Sequence, residues 1–169
     1  LIIGQTGIGK SSLLRMFKHS IPKNQARAIY IHLTHITPTG FLRMIVSQLG
    51  EAPRSGKDRL FVQIINRIQK TEIETILMID EAHLLSSQSL TDLRLLVCAD
   101  IPLKIVLSAQ ESITSLLNRT THADLVQRLC VRCLLRPLSN DQTATYISHR
   151  LRCAGASDKL FDTEALNLI

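Results

Sequence analysis

The stretch Gly4-Gln5-Thr6-Gly7-Ile8-Gly9-Lys10-Ser11 decides the fold of this chain, and it follows directly after the apolar run Leu1-Ile2-Ile3. It matches the pattern G-x-x-x-x-G-K-[ST], in which glycines let a loop wrap closely around a phosphate. The apolar run predicts the end of a buried strand, and Leu13, Leu14 and Phe17 predict an amphipathic helix after the loop. In that setting the backbone N–H groups and the helix N-terminus point at an anion. The stretch therefore predicts a Walker A loop that binds a nucleotide.

The expected ligand of this loop is ATP with Mg²⁺. Lys10 would reach the β- and γ-phosphates, and the hydroxyl of Ser11 would ligate the metal ion. The residues expected to contact the nucleotide are Gly4, Gln5, Thr6, Gly7, Ile8, Gly9, Lys10, Ser11 and Ser12. The alternative is a Gly-rich turn of purely structural origin. The Lys-Ser pair and the strand–helix context argue against that alternative.

A second site element is the run Ile76-Leu77-Met78-Ile79, which ends in the acid pair Asp80-Glu81. Two carboxylates beside a buried strand are costly without a cation or hydrogen-bonding partners. After a Walker A loop, the pattern predicts that Asp80 holds Mg²⁺, directly or through a water ligand. Glu81 would orient and deprotonate the attacking water as the general base. This acid favours hydrolysis over a passive nucleotide switch.

The tetrapeptide Asp80-Glu81-Ala82-His83 also labels one group of helicases. A helicase would need a second RecA-like domain, and 169 residues do not hold one with its motifs. We therefore interpret His83 as a residue at a helix start beside the site rather than as a catalyst.

Short apolar runs alternate with amphipathic stretches, which predicts a parallel sheet flanked by helices. The expected strands are 1–4, 28–34, 75–80, 103–109 and 131–135. Helices are expected from Lys10 to Ser20, after the Thr37-Pro38 cap, around Leu60 to Ile68 and around Leu93 to Val97. Their apolar stripes are interpreted as core.

The chain is predicted to divide into an α/β nucleotide-binding domain, residues 1–136, and a helical unit, residues 137–169. Ser139 with Gln142 forms a capping box that opens a helix to about Cys153, and Asp162 or Thr163 would begin another. Both ends look cut, so we expect the helical unit to be truncated and flanking segments to exist.

Charge is spread unevenly along the sequence. Residues 1–70 hold 11 of the 20 Lys and Arg but two of the 14 Asp and Glu, whereas residues 71–169 hold 9 against 12. Such asymmetry can mark a nucleic-acid surface, although solvated helix faces are the plainer interpretation.

The four cysteines are too few for a disulfide scaffold, which favours a reducing, cytoplasmic location. Cys130 and Cys133 have metal-ligand spacing, but no second pair completes a zinc site, and buried thiols are expected instead. No apolar run approaches the roughly 20 residues of a membrane span.

Several segments together resemble the AAA+ ATPases of the general secretion pathway protein A (ExeA) type, a group close to the transposition ATPases of the TniB and TnsC type. They are ILMIDEAHLL at 76–85, KIVLSAQES at 104–112, LVQRL at 125–129 and LLRPLSNDQTATYISHRLRCAG at 134–155, with LFDTEAL after them. The resemblance covers essentially the whole chain. It implies a five-stranded sheet in the order 5-1-4-3-2, a helical lid, and self-association into rings or filaments in which a neighbour completes each site.

The same resemblance assigns further residues. The polar sensor at the end of the fourth strand maps onto Gln110, with Ser108 as the alternative. The arginine finger maps onto Arg128, with Arg119 and Arg132 as substitutes. A planar cation suits this role because it stabilises charge on the transferring phosphoryl group. The second sensor of the lid would lie beyond Ile169.

Three hypotheses remain for what the ATP cycle drives. The favoured one is assembly on DNA, as in transposition target selection, through the basic residues of 43–70: Arg43, Arg54, Lys57, Arg59, Arg67 and Lys70. The second is a secretion-assembly ATPase that acts on protein partners at the inner membrane, with any anchor outside this chain. The third is a nucleotide-gated scaffold with little turnover, against which Glu81 argues.

Overall fold

The protein is described here by a computed structural model that covers residues 1–156, 160–161 and 165. The strands are β1 (Ile2–Ile3), β2 (Ala26–His32), β3 (Glu74–Asp80), β4 (Leu103–Ala109) and β5 (Cys133–Leu134). The helices are α1 (Lys10–Ser20), α2 (Pro38–Gln48), α3 (Lys57–Gln69), α4 (Ser87–Val97), α5 (Ile113–Leu117), α6 (Ala123–Gln127) and α7 (Asn140–Cys153). Short 3₁₀ turns cover Ala82–Leu84 and Thr120–His122. The helix predicted to begin at Asp162 or Thr163 lies outside the described residues.

The strands form one five-stranded sheet in the order β2-β3-β4-β1-β5, with every neighbouring pair parallel. This order confirms the sheet that the family resemblance implied. Because parallel strands need crossover connections, α1 connects β1 to β2 at the edge of the sheet, and β3 and β4 lie between these two strands. Ligand sites of such open sheets lie at the carboxyl ends of the strands.

The core is aliphatic, as the composition predicted. β3 is buried along nearly its whole length because both of its faces are covered. One face packs against a cluster from α2, α3 and α4 that includes Phe41, Leu42, Leu60 and Leu93, all at most 1% exposed. The local signals that predicted the helices also act as expected: the Thr37 side chain accepts a hydrogen bond from the Gly40 N–H, with Pro38 at the first helical position.

Two apolar segments are more exposed than predicted. In α1 only Leu14 of the predicted stripe is buried, whereas Leu13 and Phe17 are 38% and 43% exposed. The buried residues of α1 are Lys10 and Leu14, which lie one turn apart and form the face that packs on the sheet. Leu13 and Phe17 lie beside this face and point away from the sheet. The prediction that this whole stripe is core was wrong.

The thiols were also expected to be buried, and this was wrong. Cys130 and Cys133 are exposed, as are Cys98 and Cys153. The reason is the position of β5 at the sheet edge, where it pairs with β1 alone and its flanking residue Val131 is 71% exposed. Within the part of the chain that the structure describes, no group of three or more His, Cys, Asp or Glu could hold a metal ion.

The chain separates into two compact units, residues 1–135 and residues from Arg136 onward. In the second unit, α7 begins at the predicted capping box: Ser139 accepts from the Gln142 N–H, and the Gln142 side chain accepts from the Ser139 N–H. None of the helices among the described residues combines the length and the apolar character that a membrane crossing requires.

Candidate nucleotide site

The loop between β1 and α1 depends on glycine for its backbone conformation. Gly7 and Gly9 have φ angles of +80° and +99°, which side-chain-bearing residues rarely adopt. A Cβ at either position would meet no atom within 4 Å, so these glycines border open space. At Gly4 the constraint is packing, because a Cβ would lie 3.0 Å from the Leu135 carbonyl oxygen. The loop is therefore open at Gly7 and Gly9, next to the start of α1.

Lys10 is the first residue of α1, and its side chain folds back over the loop. Its Nζ donates hydrogen bonds to the carbonyl oxygens of Gly4 at 2.9 Å and Gln5 at 2.7 Å, and the residue is 5% exposed. An ammonium group has three donors, so one remains for a further acceptor. The loop carbonyls thus hold the Lys10 ammonium group at the loop.

Asp80 ends β3 and is fully buried. Its Oδ1 accepts from the Ser108 hydroxyl at 2.9 Å and from the Glu81 N–H at 3.0 Å. Its Oδ2 accepts from the Tyr30 hydroxyl at 2.8 Å and lies 3.5 Å from Nδ1 of His32. A buried carboxylate with several donors is held in its charged form without a strong cost.

These donors decide the charge of Asp80. Burial by itself raises the pKa of this carboxyl, but hydrogen bonds from Ser11, Tyr30, Ser108 and the Glu81 backbone outweigh burial, and the pKa lies below its ordinary value. The carboxylate is therefore ionised at neutral pH.

The Ser11 hydroxyl lies close enough to Asp80 to help lower the pKa of that carboxyl, which relates the two predicted site elements to each other. Ser11 adjoins Lys10 in α1, so the residue next to the loop cation is also the one that influences the acid at the end of β3. A hydroxyl and a carboxylate are the oxygen ligands that Mg²⁺ takes from proteins, its other positions going to water and phosphate. The residues present thus fit a magnesium ion.

Glu81 follows with an unusual backbone. Its φ and ψ are 56° and 37°, the left-handed region, which is uncommon for a residue other than glycine. Such strain persists where the surrounding structure fixes it and often occurs at functional sites. The Oε2 atom lies 3.5 Å from Nε2 of His83, and the side chain is 23% exposed. The carboxylate is therefore reachable by water, unlike that of Asp80.

The structure separates the two sensor candidates at the end of β4. Ser108 is fully buried and touches Asp80 directly, whereas Gln110 follows the strand, is half-buried and donates its backbone N–H to Nδ1 of His83 at 3.4 Å. Both lie at the carboxyl end of the sheet.

The three arginines proposed as finger are exposed. Arg128 caps the C-terminus of α6, Arg119 precedes the 3₁₀ turn at Thr120–His122, and Arg132 lies just before β5. Exposure suits a residue that acts on a neighbouring subunit.

The basic residues between 43 and 70 differ in their surroundings. Lys57 is paired with the buried Asp92 at 2.8 Å, and Arg67 lies 3.6 Å from Glu51. The other four, Arg43, Arg54, Arg59 and Lys70, are exposed. These pairs reduce the positive charge available on this surface.

Tyr30 and His32 were not foreseen as site residues. They lie on β2, where His32 is in register with Asp80 and Tyr30 with Met78, so both side chains share the face of Asp80. The Arg15 guanidinium lies 5.9 Å from the Tyr30 ring centre. Burial, followed by the bond to Asp80, raises the pKa of Tyr30 above its ordinary value, so its hydroxyl stays a donor. The alternation of Tyr30 and His32 near the end of β2 indicates a shared polar face. It points to Asp80 only once β2 is known to lie beside β3.

The sheet order, the glycine loop and the acid pair at the strand ends define a P-loop ATPase of the AAA+ class. The chain belongs to the AAA domain family, whose family model matches residues 1–117.

One curated relative confirms the resemblance noted from the sequence. General secretion pathway protein A of Aeromonas hydrophila is 27% identical over 178 residues. The match covers 100% of this chain, which spans 32% of that relative.

Solved structures share the fold. The Aeropyrum pernix Orc1 protein in complex with DNA aligns with a TM-score of 0.71 and 16% identity over 89% of this chain and 43% of its own. Cdc6p of Pyrobaculum aerophilum aligns with a TM-score of 0.73 and 19% identity over 90% and 42%. The Aeropyrum pernix ORC2 protein, in ADPNP-ADP complexes, aligns with a TM-score of 0.74 and 15% identity over 89% and 45%. At these identities the likeness shows the fold alone.

Proposed function

We propose that this chain binds Mg-ATP in the loop at 4–12 and hydrolyses it. The observation that carries the proposal is that Lys10 is anchored on the glycine loop while the adjoining Ser11 lies close enough to the buried, ionised Asp80 to lower its pKa. A triphosphate that lies in the open side of the loop would meet the remaining Lys10 donor and the N-terminus of α1. Ser11 and Asp80 would hold the metal ion, which would supply positive charge that neutralises the phosphate oxygens.

In this proposal each acid has its own task because their surroundings differ. Asp80 is buried, ionised and fixed by donors, which suits a rigid metal ligand. Glu81 is open to water and makes one loose contact, which suits a base that takes a proton from the attacking water. Gln110 or Ser108 serves as sensor, and a neighbouring copy supplies Arg128, Arg119 or Arg132 in a ring or filament. The unit from residue 137 onward acts as the start of a lid.

A nucleotide-binding experiment tests the site. Titration of wild type with ATP should show binding that strengthens with Mg²⁺. Lys10→Ala should weaken binding at least tenfold, and Asp80→Asn should remove the Mg²⁺ dependence. Lys18→Ala is a matched control, because Lys18 is an exposed lysine at the other end of α1. Unchanged binding by both site variants would reject the proposed site.

Two observations favour a DNA-coupled cycle. The first is the exposed set Arg43, Arg54, Arg59 and Lys70 on and around α2 and α3. The second is that the solved structure of Aeropyrum pernix Orc1, which shares this fold, is a complex with DNA. We therefore infer that ATP-loaded copies assemble on double-stranded DNA through phosphate contacts. Target selection of the transposition type is the specific role that we propose, and it rests on the resemblance to the TniB and TnsC group.

ATP turnover with and without double-stranded DNA, at two salt concentrations, tests the coupling. With about four phosphate contacts, DNA affinity should fall by about 10²-fold between roughly 50 and 200 mM salt. Arg54→Gln with Arg59→Gln should weaken DNA binding and reduce this salt dependence. Lys18→Gln with Lys23→Gln removes the same charge from exposed positions elsewhere and should do neither.

The match to General secretion pathway protein A favours a second function, secretion assembly on a protein partner at the inner membrane. Turnover that DNA does not stimulate at either salt concentration would favour this function over the first. Nucleotide binding without measurable turnover would instead favour a nucleotide-gated scaffold.

A further inference from the structure

His83 lies in the 3₁₀ turn that follows Glu81, with its side chain 12% exposed. Its two ring nitrogens face different partners. Nδ1 lies 3.4 Å from the backbone nitrogen of Gln110, beyond the end of β4, and Nε2 lies 3.5 Å from Oε2 of Glu81. The imidazole ring therefore bridges the segment after β4 and the carboxylate assigned as general base.

The contact with Gln110 determines where the ring carries its proton. A backbone N–H can only donate, so Nδ1 must accept, and the hydrogen of the neutral ring lies on Nε2. Nε2–H is then the donor that faces Glu81. The 3.5 Å separation is longer than a usual hydrogen bond, and catalytic contacts of this kind often shorten only when substrate binds.

We propose that His83 is a positioning residue for Glu81, which deepens the proposed hydrolysis and rests on it. By holding Oε2, the imidazole fixes the rotation of the carboxylate and leaves Oε1 to receive the proton of the attacking water. Glu81 has no other donor among its described side-chain contacts, and its left-handed backbone fixes where its side chain starts. Because Gln110 holds the other side of the ring, a shift at the end of β4 is transmitted to the base.

A purely structural role is the competing explanation, in which the ring only caps the N–H of Gln110. Two substitutions separate the roles. The side-chain carbonyl of Asn in His83→Asn can replace Nδ1 as acceptor, but the side chain is too short to reach Glu81. The amide of Gln in His83→Gln extends to the position of Nε2 and can donate to Glu81.

The experiment is steady-state ATP turnover by the full chain. His83→Asn should lower kcat by roughly ten- to a hundredfold, the scale expected when a reacting group is misplaced, with KM for ATP unchanged. His83→Gln should recover most of kcat. His19→Asn, an exposed histidine at the end of α1, is the matched control and should behave as wild type. Thermal unfolding of each variant monitors the fold.

Several results would overturn the positioning role. They are wild-type kcat in His83→Asn, equal loss in both His83 variants, or a loss that appears in KM instead of kcat. Loss of turnover in Glu81→Gln together with wild-type kcat in His83→Asn would remove this inference and leave the proposed function intact. Turnover that survives in Glu81→Gln would remove both.

Discussion

Tyr30→Phe tests how the buried acid of the site is held. The substitution removes the hydroxyl that donates to Oδ2 of Asp80 over 2.8 Å, and it keeps the ring that lies under the Arg15 guanidinium. Asp80 retains its donors from Ser11, Ser108 and the Glu81 N–H, so the fold and the ionised state should both survive.

The expected loss follows from the type of bond. A hydrogen bond to a charged group contributes about 1.5–3 kcal/mol to stability, and we expect the lower end because three donors remain. A loss of about 1.5 kcal/mol in a chain of this size lowers Tm by about 3–6 °C. The folded-state pKa of Asp80 lies below its ordinary value of 3.8, so this stability is present above that value and is lost as pH falls through the folded-state pKa. The difference from wild type should therefore be fully present at pH 7.

Urea unfolding at pH 7 measures this loss. Tyr146→Phe is the matched control, because it removes the hydroxyl of the other tyrosine, which is 53% exposed on α7, and should change the unfolding free energy by less than about 0.5 kcal/mol. If Tyr30→Phe is as stable as wild type, or if both tyrosine variants lose the same amount, the described network does not stabilise Asp80.

Other substitutions test the surroundings of the site. Ser108→Ala should lower the unfolding free energy by about 1–2 kcal/mol because it removes a buried donor to a carboxylate. Gln110→Ala should leave stability unchanged and lower kcat by about 10²-fold if its side chain stabilises transition-state charge. A loss of kcat in Ser108→Ala with wild-type kcat in Gln110→Ala would assign the sensor to Ser108 instead. Burial lowers the pKa of His122, so the unfolded chain binds that proton more readily, and the unfolding free energy should fall as pH drops below 6.5. Between pH 7.5 and about 5, the unfolding free energy should change less with pH in His122→Gln than in wild type. The same pH dependence in both proteins would contradict this. Lys57→Met should lower the unfolding free energy, measured by urea titration, by about 3 kcal/mol because it leaves the buried carboxylate of Asp92 without its cation. An unchanged unfolding free energy would show that the pair is solvated.

Local patterns predicted the parts of the site that are close together in sequence. The Walker A glycines need left-handed backbone, and α1 runs over the predicted residues, Lys10–Ser20. The sheet order came from the family resemblance, since parallel strands of similar composition carry little information on their neighbours. Given that order, the strand ends bring Asp80 close to the loop.

Contacts between distant residues could not be predicted in the same way. Tyr30 meets Asp80 only because β2 and β3 are neighbours in a fixed register, which periodicity within each strand does not reveal. The exposure of Val131 and Cys133 depends on β5 being an edge strand. The pairing of Lys57 with Asp92 likewise depends on how α3 and α4 both pack against α2, and it removed one cation from the predicted DNA surface.

The central claim is that the loop cation and the two acids form one hydrolytic site. Parallel assays of ATP binding and ATP turnover on Glu81→Gln test it most directly, because this change keeps the shape of the side chain and removes the base. We expect binding within about twofold of wild type and turnover reduced at least 10²-fold. Turnover close to wild type would contradict the claim, since the carboxylate next to Asp80 would then play no part in the reaction.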